Sequence, residues 1–222
     1  MKHTSILATI LFGVLSCSQA ATIALWTFES PNTPSPTTNL TISGVLPATG
    51  SGTLSGVHAG LTVFYPQAGN GSTYSLGADS WLPGDYWQVH VSTRGLDHIQ
   101  LSWDQNTNPY GPTNFNLGFS TDGATFTTIA PFIPVSTIGW QLNTRDPNAT
   151  VSFNLSSWTA LNDAPDVYFR LSSNLNAPAI EQIDNVSVSG SLVVPEPAAL
   201  TLLLCATGVA AVWRGRQRRL VN

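Results

Sequence analysis

The sequence predicts an all-β domain, a jelly-roll β-sandwich, between two apolar terminal segments. No long stretch of the central region has the 3.6-residue apolar period of a helix. Short runs of alternating apolar and polar residues recur instead, and Gly, Pro, Asn and Asp bound them, as is typical of strands joined by turns. Eight or nine strands at this spacing favour two packed antiparallel sheets.

Nine predicted strands follow one another between turn-rich segments. They are Ile23–Glu29, Leu61–Tyr65, Tyr86–Val91, Asp97–Asp104, Asn114–Ser120, Thr125–Ile129, Val151–Leu155, Val167–Leu171 and Ile183–Ser189. In addition, Leu40–Val45 has weak strand potential. The hairpin around Asp122-Gly123 is the clearest, because turn residues separate two alternating runs. We expect strand 167–171 to pair with strand 183–189, and stretches 30–60 and 69–84 to be mostly loop.

Alternation also predicts which side chains face the core, since successive residues of a strand point to opposite faces. Three apolar stripes are expected to fill the space between the two sheets. They are Ile99/Leu101/Trp103, Phe115/Leu117/Phe119 and Val151/Phe153/Leu155. Trp26 lies on an alternating strand as well, so we expect it in the core with Trp103.

The first 20 residues have the features of a secretory signal peptide: a positive start, an apolar run and an A-x-A-like cleavage site. The alternative is a lipoprotein signal lipidated at Cys17, but Leu15 is bulky where such signals prefer a small residue. We therefore expect an exported protein whose mature domain is residues 21–192.

The composition of residues 21–192 excludes several classes of function. This region has no cysteine, so a disulfide framework is excluded. It has no lysine, and its three arginines stand against eleven acidic residues, a net charge of −8 with His neutral. Such an acidic surface argues against binding nucleic acid or anionic lipid.

Residues 193–219 contain three parts in order. Pro195-Glu196-Pro197 comes first, the uncharged run Ala198–Trp213 follows, and four arginines close it: Arg214, Arg216, Arg218 and Arg219. As a helix the sixteen-residue run would be about 24 Å long, somewhat short of the roughly 30 Å hydrocarbon core. Interfacial tryptophan and snorkelling arginines extend such a span, and the arginines predict a cytoplasmic C-terminus.

This ordered set resembles the tail of PEP-CTERM proteins, which exosortases sort in Gram-negative bacteria. The resemblance implies a single transmembrane helix in an inner-membrane intermediate, and exosortase and the secretion machinery as partners. It also implies that Pro195-Glu196-Pro197 is a recognition site for processing, and that the product reaches the cell surface or extracellular matrix. A plain C-terminal anchor is the alternative.

The ends of the central domain carry a second resemblance. Phe28-Glu29 at the end of the first strand and Ile183–Val188 in the last are similar to jelly-roll carbohydrate-binding modules. In such modules the first and last strands are neighbours and often share a structural Ca²⁺, a cation that prefers oxygen ligands. The resemblance implies Glu29 and Asp184 as candidate ligands. The alternative is that both are surface carboxylates capping strand ends.

Aromatic residues on loops are the candidates for sugar binding, because an aromatic ring combines a large apolar face with a polar handle. Trp81 and Tyr110 lie in loops and are candidate ligand-binding residues. The alternative is that these aromatics pin long loops onto the sandwich. Catalysis has little support: Gly-x-Ser-x-Gly and His-Glu-x-x-His are absent, and no catalytic residue is assigned.

From the sequence we expect a non-catalytic structural or adhesive protein of the surface or matrix, associated with exopolysaccharide or biofilm. The alternative is a carbohydrate-binding module that recognises a matrix polysaccharide, and the third possibility is a glycoside hydrolase. No cofactor is expected beyond a structural Ca²⁺.

Overall fold

A computed structural model describes residues 20–136 and 139–193, and these residues are almost entirely strands and turns. The strands are β1 Ala20–Trp26, β2 Thr37–Val45, β3 Thr49–Gly50, β4 Thr53–Gln67, β5 Ser75–Ala78, β6 Tyr86–Val91, β7 Leu96–Thr107, β8 Phe115–Ser120, β9 Thr127–Phe132, β10 Val135–Ser136, β11 Thr150–Asn154, β12 Val167–Ser173 and β13 Glu181–Leu192. Two short 3-10 helices, Pro147–Ala149 and Thr159–Leu161, flank β11. None of the described residues belongs to a helix that is long and apolar enough to cross a membrane.

Hydrogen-bond pairing arranges the strands in two layers. One layer has the order β2–β4–β6–β12–β8–β9, and the other has the order β3–β1–β13–β7–β11. β5 pairs with both β4 and β13, so one hydrogen-bonded network joins the two layers. All these pairings are antiparallel except that of the short β10 with β7.

The inward faces of the two layers meet in one hydrophobic core, which confirms the predicted β-sandwich. Trp26 and Trp103 from one layer and Trp87 and Phe169 from the other are fully buried there. The predicted stripes are confirmed. Ile99, Leu101, Trp103, Phe115, Leu117, Phe119 and Leu155 are buried, and Val151 and Phe153 pack against the core.

The predicted pairing of residues 167–171 with 183–189 is wrong. β12 pairs with β6 and β8, whereas β13 pairs with β1, β5 and β7 in the other layer. The intervening chain crosses the sandwich, and a pair of backbone hydrogen bonds between Trp81 and Ala177 holds it, at 2.8 and 2.9 Å. The expectation that the first and last strands are neighbours is confirmed by β1 and β13.

Both stretches expected to be loop contain strands. Residues 30–60 include β2, β3 and the first part of β4, and residues 69–84 include β5. The Gly- and Ser-rich part of β4 is held by neighbours on both sides, β2 and β6. Gly56 is required there by packing, because a Cβ on it would lie 2.5 Å from the ring of Trp87.

Candidate functional site

The outward side of β6 and β12 carries an unusual set of side chains. The two strands are antiparallel neighbours, so alternate residues of each point away from the core. The register pairs Tyr86 with Ser172, Gln88 with Arg170, and His90 with Tyr168. All six are partly exposed, while the residues between them are buried. These six residues are called the β6–β12 face below.

His90 and Tyr168 form one end of the β6–β12 face. Their rings are stacked, with centroids 4.2 Å apart and planes 4° from parallel. Nε2 of His90 lies 2.9 Å from Oδ1 of Asp166, the residue before β12. The ring stack and this contact together fix the imidazole. Both stacked side chains are partly exposed at the surface of the sheet.

Arg170 lies at the middle of the β6–β12 face. Its Nε donates a hydrogen bond to Oε1 of Gln88 at 2.7 Å. Its Cζ lies 4.1 Å from the ring centroid of Tyr86 and 3.7 Å from that of Phe126. Two cation–π contacts and one hydrogen bond therefore fix the guanidinium.

The β8–β9 turn borders the face and supplies Phe126. Oδ1 of Asp122 accepts hydrogen bonds from Ser120 and from the backbone amides of Ala124 and Thr125. The bond from Ser120 contributes most to lowering the pKa of Asp122 to about 2, and the backbone bonds add to it. Gly123 has a φ of +72° and lies against Tyr168, since a Cβ on it would be 3.2 Å from that ring.

The outward side of the other layer differs. There β7 lies between β13 and β11, and the register brings together outward side chains that are small or carry neutral amides. These residues are Gln100, Ser102, Ser152, Asn154, Ser187 and Ser189. They are called the β7–β13 face below. None of these six is aromatic or charged.

The prediction that Trp81 binds a ligand at the surface is wrong, because Trp81 is fully buried. Its ring packs 4.6 Å from the His58 ring, 5.4 Å from Phe115 and 5.8 Å from Trp87, measured between centroids. Its Nε1 donates to the carbonyl of Ala78 at 3.2 Å. Trp81 therefore pins its loop onto the sandwich, which is the alternative that the sequence left open.

Tyr110 is 79% exposed, in the segment between β7 and β8, so its predicted role in binding stays a prediction.

The residues that sequence reasoning did not select are those of the β6–β12 face. Their alternation in Tyr86–Val91 was visible in the sequence. The alternation alone does not say that Tyr86 and His90 point outward to meet Arg170 and Tyr168 on a strand some eighty residues away.

Both predicted metal ligands reach the same loop, residues 69–75. Oε1 of Glu29 accepts a hydrogen bond from the backbone N–H of Tyr74 at 2.7 Å. Oδ2 of Asp184 accepts from Ser72 Oγ at 2.8 Å and from the backbone N–H of Asn70 at 2.9 Å. Burial raises the pKa of Asp184 to about 6, although these hydrogen bonds act in the opposite direction.

The donor set at this loop fits a hard cation. Ser72 Oγ, the Tyr74 carbonyl oxygen and Asp184 Oδ2 all lie within 2.8 Å of the point where a Cβ on Gly69 would stand. The set is all oxygen, as Ca²⁺ prefers, and the buried Asp184 would be compensated by a positive charge. Within residues 20–136 and 139–193 there is no group of three His, Cys, Asp or Glu side chains with metal-binding spacing. Backbone carbonyls would therefore have to complete the shell.

A buried polar chain crosses the core behind the β6–β12 face. Glu181 accepts hydrogen bonds from Trp87 Nε1 and Gln105 Nε2, both at 2.7 Å, and Gln105 Oε1 accepts from Trp103 Nε1 at 2.8 Å. Burial raises the pKa of Glu181 to about 8, against the effect of the two hydrogen bonds. Burial therefore favours the protonated, neutral form of Glu181, whose hydrogen bonds join the two layers.

The predicted sorting segment lies outside the described residues. This holds for the motif Pro195, Glu196, Pro197 and for the basic stop Arg214, Arg216, Arg218, Arg219. Residues 1–19 of the predicted signal peptide also lie outside them. These predictions stay predictions.

Several solved structures are similar to this chain, and three of them are described here. The N-terminal CBM22-1-CBM22-2 tandem domain of Xyn10C from Paenibacillus barcinonensis has a TM-score of 0.50 at 12% identity, covering 82% of this chain and 48% of the other. The CBM22-1 xylan-binding domain from the same protein has a TM-score of 0.48 at 11% identity, covering 81% and 100%. The K3 cleaved adhesin domain of Lys-gingipain from Porphyromonas gingivalis has 0.44 at 12%, covering 77% and 99%.

Of these three, the tandem domain supports the sandwich fold, and at 12% identity it supports the fold alone. This chain spans about half the length of that tandem domain. No protein-family model matches the chain, and no curated protein matches it.

Proposed function

We propose that residues 21–192 form a jelly-roll carbohydrate-binding domain and that the β6–β12 face binds the glycan. The observation that carries the proposal is the set of aromatic and planar polar side chains on this face. The β7–β13 face, on the other layer, has no aromatic residue. The tandem structure of similar fold is named for two carbohydrate-binding modules, which is in keeping with the proposal.

The chemistry of the β6–β12 face suits a sugar. A pyranose ring has an apolar C–H face and a rim of hydroxyls, and the Tyr86 and Tyr168 rings offer flat apolar surface with a polar tip. Gln88 and Arg170 offer planar hydrogen-bonding groups already held in place. Preorganised groups lose less conformational entropy on binding. Three alternate positions on a strand span roughly 13 Å, enough for a short oligosaccharide.

The proposal is tested by replacing both tyrosines of the face, as Tyr86→Ala/Tyr168→Ala. Binding to a panel of plant and bacterial polysaccharides, measured by glycan array and calorimetry, is expected to fall at least tenfold, a loss of about 1.4 kcal/mol. The matched control is Ser187→Ala/Ser189→Ala on the β7–β13 face, which is expected to bind as the parent does. Unchanged binding in the tyrosine variant, or no binding by the parent to any glycan, would overturn the proposal.

We propose binding without catalysis. Among the described carboxylates, Asp104 and Glu181 are buried and hydrogen-bonded to other residues of the domain, so they are not free to contact a polysaccharide. The expected result is that a bound polysaccharide incubated with the protein releases no new reducing ends. Release that follows the purified protein, and not a contaminant, would contradict this.

The site of action remains our proposal from the sequence: export, then sorting by the PEP-CTERM-like tail to the cell surface or matrix. Intact mass of the mature protein from its native host tests it. Loss of all residues after the Pro195-Glu196-Pro197 region supports processing. An intact arginine tail on the main species makes the segment a plain anchor.

A purely structural or adhesive role is favoured if no glycan binds in the presence of calcium.

We also propose a structural Ca²⁺ held by Asp184 and Glu29, with Ser72 and the Tyr74 carbonyl as further oxygen ligands. Such an ion would tie β1, β13 and the 69–75 loop together and contribute no catalytic chemistry. The expected result is a rise in melting temperature with Ca²⁺ that chelation reverses, and that Asp184→Asn abolishes. Identical melting curves with Ca²⁺ and with chelator would overturn it.

A further inference from the structure

Arg170 is held as a fixed positive charge at the centre of the β6–β12 face. The rings of Tyr86 and Phe126 flank the guanidinium at 4.1 and 3.7 Å, and Gln88 accepts the hydrogen bond from Nε. These three contacts hold the planar group in place. The two terminal nitrogens make no hydrogen bond to any side chain or backbone group of the described residues.

Arg170 also lacks a counter-ion within the described part of the chain, since no carboxylate lies within 4.0 Å of it. Arg145, by contrast, lies 3.5 Å from buried Asp104. Arg94 is exposed. Arg170 is therefore the one of these three arginines that is partly desolvated, rigid and without a carboxylate partner.

The acidic groups nearest the face already have partners of their own. Asp166 contacts His90 at 2.9 Å, and Asp122 is bound by its own turn. The remaining outward positions, such as Gln88 and Ser172, are neutral. The net charge of −8 over residues 21–192 opposes an anionic ligand only weakly, because interactions between exposed charges more than about 8 Å apart are largely screened at physiological ionic strength.

A guanidinium with two free terminal nitrogens matches one partner best. It is a rigid fork of donors that fits a carboxylate through two parallel hydrogen bonds, which are stronger than bonds to neutral hydroxyls. We infer that the β6–β12 face binds an acidic polysaccharide, with the carboxylate of a uronate residue on Arg170 and its ring against the neighbouring tyrosines. This inference rests on the proposed glycan-binding function and names its substrate class.

The test compares polygalacturonate oligomers with their methyl esters, which have the same sugar rings without the charge, by calorimetry at pH 7 and 0.15 M salt. The parent protein is expected to bind the acid about tenfold or more tightly than the ester, the difference that one charge-assisted bidentate contact supplies. Arg170→Gln is expected to lose this preference, and Arg170→Lys, which keeps the charge without the fork, to regain only part of it. Arg94→Gln is the control and is expected to change nothing.

The outcomes separate the inference from the function on which it rests. If acid and ester bind equally, or if folded Arg170→Gln keeps the preference, the inference fails while glycan binding stands. A sulfated glycan that binds better than the uronate would also overturn it, because the fork would then select an anion other than carboxylate. If neither these oligomers nor neutral glycans bind, the proposed function itself fails.

Discussion

The β6–β12 face and the β7–β13 face are both made of alternate residues from adjacent antiparallel strands, yet they carry different side chains. The first has two tyrosines, a histidine and an arginine among its six positions, whereas the second has four serines, a glutamine and an asparagine. Behind both, the inward residues belong to the same hydrophobic core. The difference between the faces therefore has no origin in the needs of the core.

The comparison separates residues that fold the chain from residues free to serve another purpose. Neutral serine and amide side chains are sufficient to keep the β7–β13 face in contact with water. Aromatic side chains that are partly exposed together on the other face support our proposal that it is a recognition surface, because folded proteins seldom leave apolar groups clustered at the surface without a function. The two sides of one strand can be tested against each other directly.

The largest effect on stability is expected from Trp87→Ala, because Trp87 belongs to the hydrophobic core that lies behind both faces. Trp87 is fully buried, packs 5.8 Å from both Phe64 and Trp81, and donates a hydrogen bond to Glu181. A buried aromatic replaced by alanine costs about 3–5 kcal/mol of the free energy of unfolding. Its neighbour Tyr86, which points outward, provides the control: Tyr86→Ala should cost about 0.5 kcal/mol. Equal losses in urea denaturation would contradict the assignment of the two sides.

Glu181→Gln is expected to have the next largest effect, about 1–3 kcal/mol. The carboxyl accepts one hydrogen bond on each oxygen, from Trp87 and from Gln105. An amide nitrogen in place of one oxygen would meet a donor and leave it unsatisfied in the core. Urea denaturation at pH 6 gives the loss directly, and a variant as stable as the parent would show that the polar chain can rearrange.

The same variant should also change how stability depends on pH. The folded-state pKa of Glu181 is raised from 4.5 to about 8, so the folded protein holds a proton that the unfolded chain has lost. The free energy of unfolding therefore falls as pH rises from about 4.5 to about 8, with a slope of at most about 1.4 kcal/mol per pH unit. Above pH 8 the contribution levels off. Parallel profiles for parent and Glu181→Gln between pH 6 and 9 would contradict this.

The sequence predicted the sandwich because alternation is a local property. The stripe Ile99/Leu101/Trp103 and the Asp122-Gly123 hairpin could be identified from neighbouring residues alone, and both are confirmed. The candidate site could not be identified in this way. Trp81 has the loop context of an exposed residue, and only the packing of His58 and Phe115 from distant strands buries it. The local sequence pattern likewise does not indicate which strands, distant in sequence, pair with one another.

A smaller effect is expected from Gly123→Ala, at the edge of the β6–β12 face. Its φ of +72° disfavours alanine by roughly 1 kcal/mol. The added Cβ would also lie 3.2 Å from the Tyr168 ring, which would have to shift. Gly95 is the matched control, because it has the same φ of +72° and open space where the Cβ would stand. Both variants should lose similar stability, but only Gly123→Ala should weaken glycan binding. A loss of binding in both would remove the link to Tyr168.

The smallest effect is expected from Tyr110→Ala, which sharpens the comparison by testing an exposed tyrosine outside both faces. Because the side chain is 79% exposed, its loss should change the free energy of unfolding by no more than about 0.5 kcal/mol. If glycan binding is confined to the β6–β12 face, affinity measured by calorimetry should also stay unchanged. A marked loss of affinity would instead support the sequence-based prediction that Tyr110 contacts the ligand. The binding surface would then extend beyond β6 and β12 to the segment between β7 and β8.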